Sequence, residues 1–114
     1  RVTTLDHFVK QQRLRLPPHL VIKIDVEGQE QEAIEGAADL IENSKKTIVL
    51  LEVHPDTLDR DKLTPESLFE SLERNVQVKW HLPLLNKPVD RSISFFEQFE
   101  RQQYDVIGIC QPHL

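Results

Sequence analysis

The hydrophobic positions along this chain fall into short runs with two different periods. Two stretches, residues 21–28 and 47–55, are largely apolar and carry acidic residues toward their ends. Such runs are typical of strands inside a sheet. The apolar residues between them recur at helical spacing. Because parallel strands need a long connection, this order predicts a parallel pair of strands joined by a helix.

A helical pattern also precedes the first of these strands. Thr3 or Thr4 is suited to cap it, and Leu5, Phe8 and Val9 recur at the spacing of one helix face. We expect those three apolar side chains to form its inner, core-facing side.

The second half of the chain starts with a polar run, residues 56–62, which predicts a surface loop able to act as a lid. Thr64 is suited to cap the helix that follows. Further on, Ser94 and Glu97 have the spacing of a capping box and predict a short helical segment.

Two more strands are predicted in this half. Residues 75–82 alternate between apolar and polar side chains, which favours an edge strand, and Trp80 within them either lines a surface or, more commonly, packs. Residues 104–110 are apolar on both faces and should lie inside the sheet. A last strand inside an earlier edge strand implies antiparallel insertion, so the expected fold is α/β with flanking helices.

Acidic side chains gather where the first two strands end. Alternation places Asp25 and Glu27 on one face of the first strand, and Glu52 and His54 on one face of the second. Ligands of open parallel sheets bind beyond the carboxyl ends of the strands. Since neighbouring strands lie roughly 4.8 Å apart, we expect these groups to approach closely enough for hydrogen bonds or a shared cation.

Length and charge narrow the class of protein. A chain of 114 residues suits one domain, residues 1–114, and a net charge of −5 without a basic stripe argues against nucleic-acid binding. No apolar run reaches the ~20 residues of a membrane helix, and the chain start has no signal-like apolar region, so we expect a cytoplasmic protein without a membrane partner. The single cysteine, Cys110, is expected to be a buried, inert thiol.

Three motifs in order resemble one family. They are residues 4–6 (Thr-Leu-Asp), residues 22–28 with Glu30, and residues 51–55 (Leu-Glu-Val-His-Pro). Together they resemble the FkbM-type methyltransferases. The resemblance implies a Rossmann-like sheet, S-adenosylmethionine as methyl donor, and O-methylation of a sugar or another hydroxylated small molecule.

The chain departs from such enzymes in its glycines. Its only glycines are Gly28, Gly36 and Gly108, so it contains no Gly-x-Gly turn of the kind that holds the donor. The resemblance is therefore to the C-terminal half of the catalytic domain, a partial Rossmann-like sheet without the donor-binding motif. The neighbour of residues 20–26 would then be missing, and we expect this strand to be an exposed edge that pairs with another chain.

Methyl transfer to an alcohol requires a base near the acceptor hydroxyl. We assign that role to Asp25 or His54, with Glu27 and Glu52 positioning the acceptor. The structural alternative is that Glu27 caps the following helix and Glu52 satisfies backbone donors.

Two other classes of function compete with a methyltransferase. The carboxylates of Asp25, Glu27 and Glu52 and the imidazole of His54 are also suitable ligands for Mg²⁺ or Mn²⁺. Such a site would indicate a metal-assisted hydrolase. The missing donor turn is equally consistent with a non-catalytic binding module derived from a methyltransferase.

Overall fold

A computed structural model of the chain describes residues 3–15, 17–24 and 29–112. The fold is α/β, with six short helices and five strands in these ranges. The helices are α1 Leu5–Gln11, α2 Glu30–Glu35, α3 Ala38–Glu42, α4 Pro55–Arg60, α5 Pro65–Glu73 and α6 Phe95–Gln98, with a 3₁₀ turn at Pro83–Leu85. The strands are β1 His19–Ile24, β2 Lys46–Val53, β3 Val76–Leu82, β4 Lys87–Pro88 and β5 Tyr104–Pro112.

The strands form one open mixed sheet in the order β1-β2-β5-β3-β4. β1 and β2 are parallel, and β5 runs antiparallel to both of its neighbours, β2 and β3. The parallel pair and the antiparallel insertion of the last strand are thus confirmed. On its outer side β3, the expected edge strand, pairs only with the two-residue β4, which covers its last two residues.

The core lies on one face of the sheet. Val49, Leu51 and Val53 alternate along β2 and are fully buried, and they belong to the same buried cluster as Ile34 of α2 and Phe69 of α5. The side chains that alternate with them point to the other face and lie outside this cluster. The helices therefore cover one face of the sheet.

Trp80 of β3 and Gly108 of β5 are Cα partners and pack closely on that covered face. A Cβ on Gly108 would lie 2.7 Å from Cζ3 of Trp80, so only glycine leaves room for the indole. The indole also packs against Phe69, with ring centroids 4.5 Å apart. The packing role expected for Trp80 is confirmed.

An ion pair closes the outer side of this aromatic cluster. Arg91 donates two hydrogen bonds of 2.9 Å to the Glu73 carboxylate, which also accepts one of 3.0 Å from Nε1 of Trp80. Partial burial raises the pKa of Glu73, but the hydrogen bonds from Arg91 and Trp80 and the charge of Arg91 outweigh it and lower the pKa overall. The ion pair between Arg91 and Glu73 therefore holds the indole N–H of Trp80 in place.

The inner face predicted for α1 is wrong. Thr4 caps this helix, as expected, with its side chain accepting from the backbone N–H of His7 at 3.0 Å. However, no residue of α1 is buried, and Leu5 and Phe8 are 39% and 44% exposed. Val9 is the only member of the stripe that is even partly buried, so the stripe is not part of the core.

The loop predicted for residues 56–62 is also wrong over most of its length, because α4 occupies residues 55–60. Pro55 begins this helix, a position where its missing N–H costs nothing, and Thr57 and Leu58 are buried. The polar sequence gives little sign of this helix, because Leu58 is its one side chain in the hydrophobic core.

Two further local predictions fail. The single helix expected between β1 and β2 is divided into α2 and α3. The Ser94 side chain makes no cap hydrogen bond, so the predicted capping box is absent from α6; instead, the Glu66 carboxylate accepts from the N–H of Phe95 at 3.0 Å. By contrast, the cap at Thr64 forms, and Ser67 completes a capping box with it.

We predict that Gly108→Ala lowers the free energy of unfolding by about 1–3 kcal/mol, because the added methyl group overlaps the indole of Trp80. Urea denaturation measures the loss. In a Trp80→Leu background the same substitution should cost clearly less. An equal cost in both backgrounds would show that the indole does not require Gly108.

Candidate functional site

The candidate site begins where β2 ends. Burial alternates along this strand, so Glu52 lies on the face away from the helices, between the buried residues Leu51 and Val53. Its Cα partner on β5 is Asp105. Gln103 donates a hydrogen bond of 2.5 Å from Nε2 to Oε1 of Glu52. The strand thus presents a partly exposed carboxylate that a neighbouring amide holds in place.

His54 directly follows β2 and is the N-cap residue of α4. Its carbonyl accepts the first helical hydrogen bond, from Leu58 at 3.0 Å, but its side chain caps nothing. The ring is partly exposed, whereas Nδ1 is buried and has no hydrogen-bond partner among the described residues. A buried nitrogen without a partner is unusual and marks this imidazole as a group that can accept a proton or a hydrogen bond.

Asp25 and Glu27 lie outside the described residues. The strand that leads to them ends at Ile24, which is buried and pairs with Leu51 of β2, while Lys23 pairs with Leu50. Because this pairing is parallel, β1 and β2 direct their carboxyl ends to the same edge of the sheet. The register supports a shared site there, and the contact of Asp25 or Glu27 with Glu52 and His54 stays a prediction.

The metal interpretation has no support in the part of the chain that is described. Within residues 3–15, 17–24 and 29–112, no three His, Cys, Asp or Glu side chains lie close enough together to hold a metal ion. Two of the four residues on which that interpretation depends, Asp25 and Glu27, fall outside these ranges, so the hypothesis stays untested.

A cavity of about 390 Å³ opens beside β1, on the side of α2. Its walls include Ile22 and Ile24 of β1, Ala33 and Ala37 near α2, and Thr4 before α1. Neither Glu52 nor His54 lines it. The cavity therefore flanks the strand ends without including the polar groups of the candidate site.

Asp6 has a structural role that the sequence did not predict. Its two carboxylate oxygens accept 2.9 Å hydrogen bonds from the backbone N–H groups of Asp39 and Leu40, at the start of α3. Its own N–H donates to the carbonyl of Gly36 at 2.8 Å. A Cβ on Gly36 would lie 3.1 Å from Cβ of Thr4, so the Thr4 side chain packs tightly against the backbone of Gly36. Residues 4–6 thus tie α1 to the break between α2 and α3.

Cys110 is buried and takes no part in the candidate site. Burial raises the pKa of its thiol to about 12, so it stays protonated and unreactive at neutral pH, as expected.

Open α/β sheets bind their ligands beyond the carboxyl ends of parallel strands, and β1 and β2 both direct their carboxyl ends to the same edge. The family model of the methyltransferase FkbM domain matches residues 1–105, and the chain belongs to this family. No curated protein and no solved structure matches it. Among the described helices, none combines the length and the apolar character needed to cross a membrane.

We predict that Asp6→Ala lowers the free energy of unfolding by about 2 kcal/mol, because it leaves two N–H groups at the start of α3 without their carboxylate. Glu42→Ala, which removes an exposed carboxylate from the end of the same helix, serves as the control and should change stability little. Thermal and urea denaturation provide the measurement. Equal stabilities of the two variants would remove Asp6 from its anchoring role.

Proposed function

We propose that the parent protein is an S-adenosylmethionine-dependent methyltransferase that methylates a hydroxyl group of a sugar or another small molecule. In this proposal residues 1–114 are the C-terminal part of its catalytic domain. The observation that carries it is the family match together with the parallel pair β1 and β2, whose carboxyl ends lead to the motifs of residues 22–28 and 51–55.

The described residues do not fit the methyl donor. Of the two described glycines, Gly36 is packed against Thr4 and Gly108 against Trp80, so neither forms a cradle where a nucleoside or carboxylate approaches the backbone. The sequence also has no Gly-x-Gly turn. We therefore assign donor binding to a part of the parent outside these 114 residues, and no step of the reaction through the donor is assigned to this chain.

The part of the reaction assigned to this chain is the handling of the acceptor hydroxyl. His54 has a buried Nδ1 without a partner among the described residues, at the edge where an acceptor would bind. Imidazole is the side chain that most often acts as a general base, and it is suited to remove the hydroxyl proton. Asp25 is the second candidate base. Glu52, held by Gln103, and Glu27 are proposed to orient the acceptor through hydrogen bonds.

The location of the parent is part of the same proposal. We assign it to the cytoplasm, where Cys110 would remain reduced. Its partner there is a small-molecule acceptor.

We predict that the 114-residue chain on its own does not bind S-adenosylmethionine tightly, because the groups that would hold its carboxylate and ribose are absent. Isothermal titration calorimetry should give a dissociation constant above about 1 mM, which means a binding free energy weaker than roughly −4 kcal/mol. A dissociation constant in the micromolar range would mean that the donor site lies within this chain.

In the full-length parent, we predict that His54→Gln or Asp25→Asn lowers kcat by about 10²–10⁴-fold for whichever residue is the base, since each change keeps the shape and removes the basicity. Thermal denaturation should show little loss of stability. Glu42→Gln on the exposed surface of α3 is the matched control and should leave kcat unchanged. Unchanged turnover in both His54→Gln and Asp25→Asn would remove the two residues from the mechanism.

A separate result distinguishes the competing binding module. If the unsubstituted full-length parent binds an acceptor but transfers no methyl group to it, the parent is a binding module and not an enzyme.

A further inference from the structure

The connection between β3 and β5 lies at the same edge of the sheet as Glu52 and His54. β5 runs antiparallel to both β2 and β3, so β3 is parallel to β2 and its carboxyl end is at that edge. The connection, residues 83–103, therefore begins and ends there. Its last residue, Gln103, donates the hydrogen bond to Glu52. The connection thus borders the candidate site.

A recess of about 140 Å³ is formed by this connection and by the helix that follows His54. Pro55 and Asp59 of α4 line it together with Phe96 and Arg101 of the connection, and the start of α5 contributes the remaining residues. Because Pro55 directly follows His54, the recess begins one residue from the proposed base.

An ion pair between Arg101 and Asp59 is the main polar feature of the recess. Nη2 of the guanidinium contacts Oδ2 of the carboxylate, and both side chains are more than half exposed. The guanidinium also lies over the ring of Phe96, 5.3 Å from its centroid. An ion pair with this exposure contributes little to stability. Its position in a recess beside the site therefore favours a role in binding.

The ion pair keeps further hydrogen-bonding groups next to its contact. A guanidinium has several N–H donors and a carboxylate has several lone pairs, and the contact between Arg101 and Asp59 uses only one of each. Glu66 also lines the recess, and its Oε2 accepts from the N–H of Phe95. A hydroxyl group both donates and accepts. Donors and acceptors side by side are therefore suited to bind two neighbouring hydroxyl groups.

The charge around the recess argues against an anionic ligand. Asp59 neutralises the charge of Arg101. The two segments that form the recess, residues 55–66 and 94–103, carry six carboxylates and three cationic side chains. This excess of negative charge would repel a carboxylate or a phosphate group. The expected ligand is therefore neutral and rich in hydroxyl groups.

The size and the apolar walls of the recess are suited to one end of a sugar ring. Complete ligand sites have volumes of roughly 300 Å³ or more, so the recess holds only a part of its ligand. Leu58 belongs to the hydrophobic core, and Leu63 and Phe96 pack against it. These side chains offer an apolar surface to the C–H groups of the ring.

The recess is made by this chain itself. The strand order β1-β2-β5-β3-β4 places β5 and β3, which hold the connection, on the far side of β2 from β1. The rest of the catalytic domain would join the sheet beside β1. The residues that determine the chemistry of the recess therefore belong to this chain.

We propose that the recess binds the hydroxyl-bearing end of a neutral sugar acceptor, with Asp59 and Arg101 hydrogen-bonded to two neighbouring hydroxyl groups. This inference rests on the function proposed above and narrows its substrate class. The acceptor is an uncharged glycoside, not a uronic acid or a sugar phosphate. The part of the acceptor that carries the reacting hydroxyl extends from the recess to His54.

The test compares neutral and charged acceptors in the full-length parent. The probes are the methyl glycosides of glucose, galactose and mannose, and the methyl glycosides of the corresponding uronic acids. Methyl transfer from S-adenosylmethionine and direct binding by isothermal titration calorimetry are measured for each probe. We expect neutral glycosides to bind about tenfold more tightly than their uronic acid counterparts.

Arg101→Gln should raise both KM and the dissociation constant of the neutral glycosides about tenfold and leave kcat nearly unchanged. It removes contacts that are equally strong before and during the reaction. Thermal stability should change little, because the ion pair is exposed. Arg74→Gln removes the same charge directly after α5 and is the matched control, which should change neither KM nor binding.

Asp59→Asn tests the charge argument separately. It leaves the charge of Arg101 without its carboxylate, so the affinity for a uronic acid glycoside relative to its neutral counterpart should rise about tenfold. A merely structural role of Asp59 would weaken both ligands equally.

Three results would overturn the proposal. They are KM and dissociation constants that Arg101→Gln does not change, uronic acids that bind the unsubstituted parent as tightly as the neutral glycosides, and a parent that binds none of the probes. Failure of the proposed methyltransferase function is a different result. If the parent binds neutral glycosides through Arg101 and methylates none of them, the recess keeps its ligand and the proposed reaction is wrong.

Discussion

The packing of Trp80 against Gly108 is the contact on which the arrangement of the sheet depends. It joins β3 to β5 on the covered face, where a side chain larger than hydrogen at position 108 would collide with the indole. Phe69 then brings α5 onto the same ring, and Glu73 with Arg91 holds its polar end. Since β5 also pairs with β2, the strand that contains Gly108 connects the antiparallel half of the sheet to the parallel pair that carries the candidate site.

The Thr-Leu-Asp motif has a structural explanation. Thr4 caps α1 and packs against Gly36, and Asp6 caps α3 from more than thirty residues away in the chain. These contacts fix the break between α2 and α3 rather than a reacting group. In this chain the motif therefore determines how the helices meet.

The order of the strands could be predicted from the sequence, because periodicity and apolar runs report which strands are interior. The failures share a physical cause. The break at Gly36 and the cap on Phe95 depend on side chains distant in sequence, Thr4 and Glu66, which a local pattern does not contain. For α1, the pattern indicated an apolar stripe but not whether anything covers it. At the site, the sequence placed Glu52 and His54 at the end of β2, while their contact with Asp25 and Glu27 stays a prediction.

Different parts of the fold position Glu52 and His54. The pairing of β2 with β5 and the hydrogen bond from Gln103 hold the Glu52 carboxylate. His54 lies beyond the strand, at the start of α4, and its backbone is held by the first hydrogen bond of that helix. Because the two side chains depend on different contacts, a change at Gln103 acts on the orienting role proposed for Glu52 and leaves the role proposed for His54 intact.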